Sequence, residues 1–130
     1  MTTNDSTSAA AHAVPVTEAR LTTLDPSADY VTTMNTYTVA PERSEEVLEY
    51  LVRSATETVR HVPGFVSMNF HVSLDRTQIV NYGQWENREA IAAARENPKI
   101  VALMSETAKV AGSSKPIPCE LRKSVPAPSK

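Results

Sequence analysis

The sequence predicts an α+β domain of ferredoxin-like order, β-α-β-β-α-β, with one antiparallel sheet covered by helices on one face. Three observations predict it. Residues 30–39 (YVTTMNTYTV) are dense in β-branched and aromatic side chains. Apolar residues then recur at helical spacing over residues 43–61. Residues 65–74 alternate strictly between apolar and polar, and a short polar break separates them from a return strand.

Each element has its own justification. Pro41 ends the first strand and suits a helix entry. Val47, Leu48, Leu51, Val52, Ala55 and Val59 mark the buried stripe of the first helix. Its opening turn carries Glu42, Glu45 and Glu46 and its last turn Arg60 and His61, the signs that the helix dipole favours. Pro63-Gly64 stops it. In the second strand Val66, Met68, Phe70, Val72 and Leu74 oppose Ser67, Asn69, His71 and Ser73. Asp75-Arg76 makes the hairpin break, and residues 77–85 return. Asn87 is a good N-cap for an Ala-rich helix reaching Glu96. Asn97-Pro98 starts a second short helix, which runs through Val110. Residues 116–123 form the last strand, and Pro116 and Pro118 mark it as an edge. The sheet face away from the helices lacks a cover, and the stripe from Val66 to Leu74 needs burial. We therefore expect a homodimer with its sheets packed face to face.

A chain of 130 residues with net charge −2 suggests one domain. Residues 1–29 read as a flexible tail or an arm for a partner subunit, 30–123 as the domain, and 124–130 as a second tail. No Lys/Arg cluster forms a nucleic-acid patch, and no apolar run is long enough to cross a membrane. The N-terminus resembles neither a secretory signal nor a transit peptide. A single cysteine, Cys119, excludes an internal disulfide and fits a cytoplasmic location. His12, His61 and His71 do not occur at metal-ligand spacing, and three glycines supply no phosphate loop.

The chemistry concentrates in Asn81-Tyr82-Gly83-Gln84-Trp85, which holds the single tryptophan. Alternation puts Asn81, Gly83 and Trp85 on one strand face, with the glycine leaving room for a flat ligand. Asn69 and His71 share a face of the neighbouring strand, and Asn35 and Tyr37 share one on the first. Together they are expected to form a semi-polar pocket under the helices. The plainer possibility is that Asn81 satisfies backbone groups at a bulge and Trp85 is core.

Pro63-Gly64-Phe65, the Asn69-Phe70-His71-Val72-Ser73 strand and Val80-Asn81-Tyr82-Gly83-Gln84-Trp85-Glu86 resemble the antibiotic biosynthesis monooxygenase family, above all its small quinone-forming members of the anthrone-oxygenase type. The resemblance implies a dimeric α+β barrel. It also implies a monooxygenase that needs neither metal nor flavin, takes molecular oxygen as co-substrate and oxidises an anthrone- or naphthol-like aromatic polyketide to a quinone. Asn81 and Trp85 match its donors to a developing oxyanion, and His71 its strand histidine, a proton relay. Asn35, Tyr37, Asn69 and Tyr82 are the substrate-binding candidates.

The chain also departs from that pattern. Ile91 stands where some members have Tyr, and Met104 where they have Arg; Tyr82, Tyr37 or Arg95 could stand in. These losses leave open a non-catalytic role as a ligand-binding or cyclisation-aiding partner. Haem-degrading relatives of the same fold share an asparagine like Asn35 and a tryptophan like Trp85. They need an axial histidine, however, and residues 99–110 contain none, with Leu103 near its place.

Overall fold

The computed structural model describes residues 21–129. The N-terminal arm expected over residues 1–29 therefore lies mostly outside the described residues. Four strands form one antiparallel sheet: β1 (Val31–Thr38), β2 (Phe65–Val72), β3 (Gln78–Trp85) and β4 (Ile117–Glu120). Their spatial order is β2-β3-β1-β4, the ferredoxin-like arrangement. Three helices cover one face: α1 (Ser44–Glu57), α2 (Arg88–Glu96) and α3 (Pro98–Ala111). Among the described residues, no helix is long and apolar enough to cross a membrane.

The sheet is organised by β1 and β3, which pair in unbroken register from Val31↔Trp85 to Thr38↔Gln78. Tyr37 faces Ile79 across the ladder, Asn35 faces Asn81, and Thr33 faces Gly83. Directly opposed residues share a sheet face. Val31, Thr33, Asn35 and Tyr37 therefore look toward the helices together with Ile79, Asn81, Gly83 and Trp85.

Helix α1 buries Val47, Leu51 and Ala55, spaced four apart, against Tyr37, Ile79 and Ala111. Fully burying a side chain such as Val47 or Leu51 contributes about 1.5–3 kcal/mol. The helix ends where Thr58 leaves the α region (φ −125°, ψ −61°), and one 3-10 turn (Val59–His61) follows. A second core cluster gathers Val62, Trp85, Ala94 and Ile100. The Asn87 side chain caps α2 by accepting from the Ala90 amide at 2.9 Å. Asn97 precedes a proline and is extended (ψ 123°), which separates α2 from α3. Its side chain then caps α3 through the Lys99 amide at 2.9 Å.

The β2–β3 turn is held by Asp75. Its carboxylate accepts from the Thr77 hydroxyl at 2.7 Å, the Ser73 hydroxyl at 2.8 Å and the Thr77 amide at 3.0 Å. These bonds, that from the Thr77 hydroxyl foremost, hold its carboxyl below the ordinary aspartate range.

Two expectations are corrected here. Met68, Phe70 and Val72 do not await a second sheet: Phe70 pairs with Asn81 and Val72 with Ile79, and both pack on the α1 core. Leu74 leaves the stripe altogether and is fully exposed in the turn. The register also shifts between Phe65 and Ser67, so Val66 is an extra residue at a β-bulge. The bulge turns Phe65 to the helix face, where it meets Trp85 edge-on with ring centroids 5.7 Å apart.

The face away from the helices carries a buried polar ladder. The Ser67 hydroxyl donates to Gln84 Oε1 at 2.7 Å, and Asn69 Nδ2 donates to Ser67 Oγ at 3.1 Å and to the Tyr82 carbonyl at 3.0 Å. The segment before β1 crosses this face. Gln84 Nε2 donates to the Thr23 carbonyl at 2.9 Å, and the Thr22 hydroxyl to Asn69 Oδ1 at 3.1 Å.

Gly64 is irreplaceable for two reasons. Its φ is +88°, and an added Cβ would overlap the Ala90 methyl. Its carbonyl also accepts from the Glu86 amide at 2.8 Å, tying the start of β2 to the end of β3. Gly64→Ala is expected to destabilise the chain by roughly 1–3 kcal/mol in urea unfolding. Adding Ala90→Gly should restore only part of that loss, because the backbone strain persists; full restoration would show that overlap alone matters.

Candidate functional site

A cavity of about 390 Å³ lies between the helix face of the sheet and helices α2 and α3. It draws walls from both core clusters: Tyr37 from one, and Trp85, Ala94 and Ile100 from the other. Asn35, Thr33 and Met68 supply the sheet side, and Ile91, Leu103 and Met104 the helix side. The size suits a small polycyclic ligand, and the wall is mostly apolar with a few polar groups, the usual make-up of a ligand site.

The sheet side of the cavity presents the Asn35 carboxamide, backed by a second one. Asn35 forms part of the wall, and Asn81 lies directly across the ladder from it, 4% exposed. The Oδ1 atoms of both are buried without a hydrogen-bond partner. A buried acceptor left unpaired costs about 1–3 kcal/mol, so two on one face need a physical reason. A ligand hydroxyl projecting between them would supply the missing donor. A half turn about Cβ–Cγ presents the NH₂ group instead, so each amide can accept from a phenol or donate to its anion.

Trp85 is 6% exposed and belongs to the cavity wall, and its ring is fixed by the edge contact with Phe65. The space above Gly83 is not open as the sequence suggested. A Cβ there would lie 3.0 Å from Thr33 Oγ1 and 3.7 Å from Met68 Cε, so side chains of the chain itself fill it.

The structure thus puts Asn35, Tyr37 and Trp85 in the cavity wall, with Asn81 on the same sheet face across the ladder from Asn35. It does not bring in the other three candidates. His71 is opposite Val80 and exposed, and Asn69 is opposite Tyr82. All three point to the face away from the helices, because the phase of β2 against β3 places Met68 and Phe70, not their neighbours, on the helix face. Tyr82 is engaged there, its hydroxyl accepting from Thr32 Oγ1 at 3.4 Å. Sequence reasoning gave Arg95 only a passing role, yet it lines the cavity. The recurrence of Arg88, Ile91, Ala92 and Arg95 along one helix face was the available clue. Ile91 and Met104, where the resemblance implies Tyr and Arg, both line the cavity, as does Leu103.

A family model for antibiotic biosynthesis monooxygenases matches residues 30–105. The tetracenomycin-F1 monooxygenase of Streptomyces glaucescens is 38% identical over 109 residues, covering 84% of this chain and 96% of that protein. The chain belongs to the antibiotic biosynthesis monooxygenase family. Solved structures of family members agree. The ActVA-Orf6 monooxygenase of Streptomyces coelicolor, in complex with nanaomycin D, superposes with a TM-score of 0.68 at 28% identity, over 81% of this chain and 96% of that one. The cofactor-independent oxygenase SnoaB of Streptomyces nogalater gives a TM-score of 0.61 at 27% identity, over 77% of this chain and 100% of that one. This family member is accordingly a monooxygenase built on the ferredoxin-like α+β fold.

The T-shaped contact separates two jobs of the indole. Trp85→Phe retains an aromatic ring for packing and removes the N–H. We expect a Tm within a few degrees of the parent and a clear loss of turnover; a lower Tm with turnover intact would make Trp85 a packing residue only.

Proposed function

We propose that the chain oxidises an electron-rich, hydroxylated polycyclic aromatic polyketide, anthrone- or naphthol-like, to a quinone, using molecular oxygen and neither metal nor flavin. The observation that carries this reading is a pair of carboxamides with unpaired buried oxygens, Asn35 in the wall of the cavity beside Trp85 and Asn81 across the ladder from it. The relatives support it, since one is a tetracenomycin-F1 monooxygenase and another a cofactor-independent oxygenase.

The chemistry requires little more than this arrangement. Triplet oxygen reacts poorly with closed-shell molecules, but an electron-rich carbanion can pass it one electron. Ring and oxygen then combine to a peroxide; one oxygen atom stays as the new carbonyl and the other leaves as water with the two hydrogens of the ring carbon. The protein must favour the deprotonated ring. Amide N–H groups of Asn35 and Asn81 and the indole N–H of Trp85, aimed at the ring oxygen among mostly apolar walls, lower the energy of that anion. Cross-strand side chains start about 4.5–5.5 Å apart at Cβ, so one ring oxygen can reach both amides. Proton movement does not use His71 in this reading, because it lies on the opposite sheet face.

The same reading makes the working unit a cytoplasmic homodimer joined through the open sheet face. Met34 and its cross-strand neighbour Ile117 sit on that face 40% and 59% exposed, an apolar pair that a second sheet would cover. Met34→Glu is expected to give a monomer by sedimentation; a parent chain that is already monomeric at micromolar concentration would overturn the dimer.

Oxygen uptake by chelator-treated protein with a reduced hydroxyanthrone tests the reaction. Asn81→Ala should lower turnover by roughly 10- to 1,000-fold, as for loss of an oxyanion donor. Its Tm should hold, since the amide oxygen has no partner to lose. Uptake unchanged in Asn81→Ala would place the chemistry elsewhere.

A further inference from the structure

Arg95 stands where two cavities meet. Among the described residues it is the one charged side chain in the wall of the cavity described above. It also lines a second cavity of about 370 Å³ between α2 and the β1–β4 edge, with Arg88 and Ile91 from α2 and Pro118 and Glu120 from β4. Ile91 and Arg95 belong to both walls, so the two spaces are neighbours across these side chains.

The charges there are unevenly committed. Arg88 Nη2 lies 3.4 Å from Glu120 Oε2, which occupies the carboxylate of the second cavity. Arg95 has no ion pair among the described residues. The two cavities together thus hold two guanidinium groups against one carboxylate, and the uncommitted cation is the one at the junction. A guanidinium is a planar fork that matches a carboxylate with two parallel hydrogen bonds.

We propose that the aromatic substrate carries a carboxylate, on the ring or on a short arm, that passes Ile91 into the second cavity and is bound there by Arg95. The ring itself stays over Asn35 and Asn81, so this inference rests on the oxygenase reading for the identity of the ring. Arg95 is a specificity residue. It acts on the far end of the molecule, away from the reacting carbon, and its loss raises KM and leaves kcat nearly unchanged.

The single tryptophan allows binding to be read without turnover. Trp85 lines the cavity, so a bound aromatic quenches its fluorescence. The test titrates the parent chain, Arg95→Gln and Arg95→Lys with a carboxylated hydroxyanthrone and with its methyl ester. Oxygen uptake is measured on the same pair. The parent should bind the acid roughly 10- to 100-fold tighter than the ester, the range of a charge-assisted hydrogen bond. Arg95→Gln should remove that preference and leave the affinity for the ester as it was, and Arg95→Lys should recover part of it. The preference should also shrink as salt rises, since Arg95 is exposed. An equal loss for acid and ester in Arg95→Gln overturns the proposal and makes Arg95 a stacking surface for the ring. No preference in the parent overturns it as well. Both compounds oxidised without an Arg95-dependent preference would remove the anchor and keep the oxygenase. An Arg95-dependent preference without oxygen uptake would keep the anchor and remove the oxygenase.

Discussion

The pairing of β1 with β3 is the constraint on which the rest of the molecule depends. One ladder places Tyr37 and Ile79 in the core, Asn35 in the cavity wall and Asn81 beside it, all on the same face. A slip of one residue in either strand would move that strand's whole set to the other face. Stability and chemistry are therefore fixed by one register. The energies show which demand dominates. Tyr37 and Ile79, with Val47 and Leu51 above them, each contribute on the order of 1.5–3 kcal/mol by burial. Together they exceed the roughly 1–3 kcal/mol that each unpaired amide oxygen costs. The core can hold two unsatisfied groups where a ligand will meet them, at a modest loss of net stability.

The roof of the site depends on a break between helices. Pro98 lacks the N–H that a continuous helix would need, and Asn97 is extended just before it. The chain can therefore change direction between Ala94 and Ile100 while both pack in the Trp85 cluster. From there α3 carries Leu103, Met104 and Thr107 over the sheet. With Ile91 and Met104 in the wall, the cavity is mostly apolar, and its polar side chains besides Asn35 and Trp85 are hydroxyls and the Arg95 guanidinium. In such surroundings each remaining dipole and charge is screened less than in water, so a small number of groups can govern which ionisation state of a ligand is bound.

Much of this architecture was legible in the sequence because its cues are local. The Asn87 and Asn97 caps, the Pro63-Gly64 stop and the period-two strands act through neighbours within a few residues. The pairing partners of those strands are not local, and there the reading failed. In β3 both faces carry mixed residues, Ile79, Asn81 and Trp85 on one and Val80, Tyr82 and Gln84 on the other. Alternation alone does not say which face the helices cover. In β2 the polar residues Asn69 and His71 suggest a pocket-facing side. The match of Phe70 to Asn81 places the apolar face there instead, and His71, Asn69 and Tyr82 go to the other side. Asn35 and Asn81 were each visible as candidates, but their adjacency is a property of the register and appears only in the folded chain.

The bulge at Val66 has a consequence for how this strand can change. Upstream of it, β2 is out of step with its downstream half, and that phase difference alone lets Phe65 reach Trp85 while Met68 and Phe70 face the helices. The strand therefore counts in parity. Deletion of Val66 would leave every downstream pairing intact and return the strand to plain alternation, with Phe65 still opposite Trp85. Removal of Val66 and Ser67 together would instead set Phe65 next to Met68 and turn it to the far side, depriving the indole of its edge partner. Length variation among chains of this architecture should accordingly be limited to the gain or loss of the one bulge residue, even where the residues themselves are replaceable.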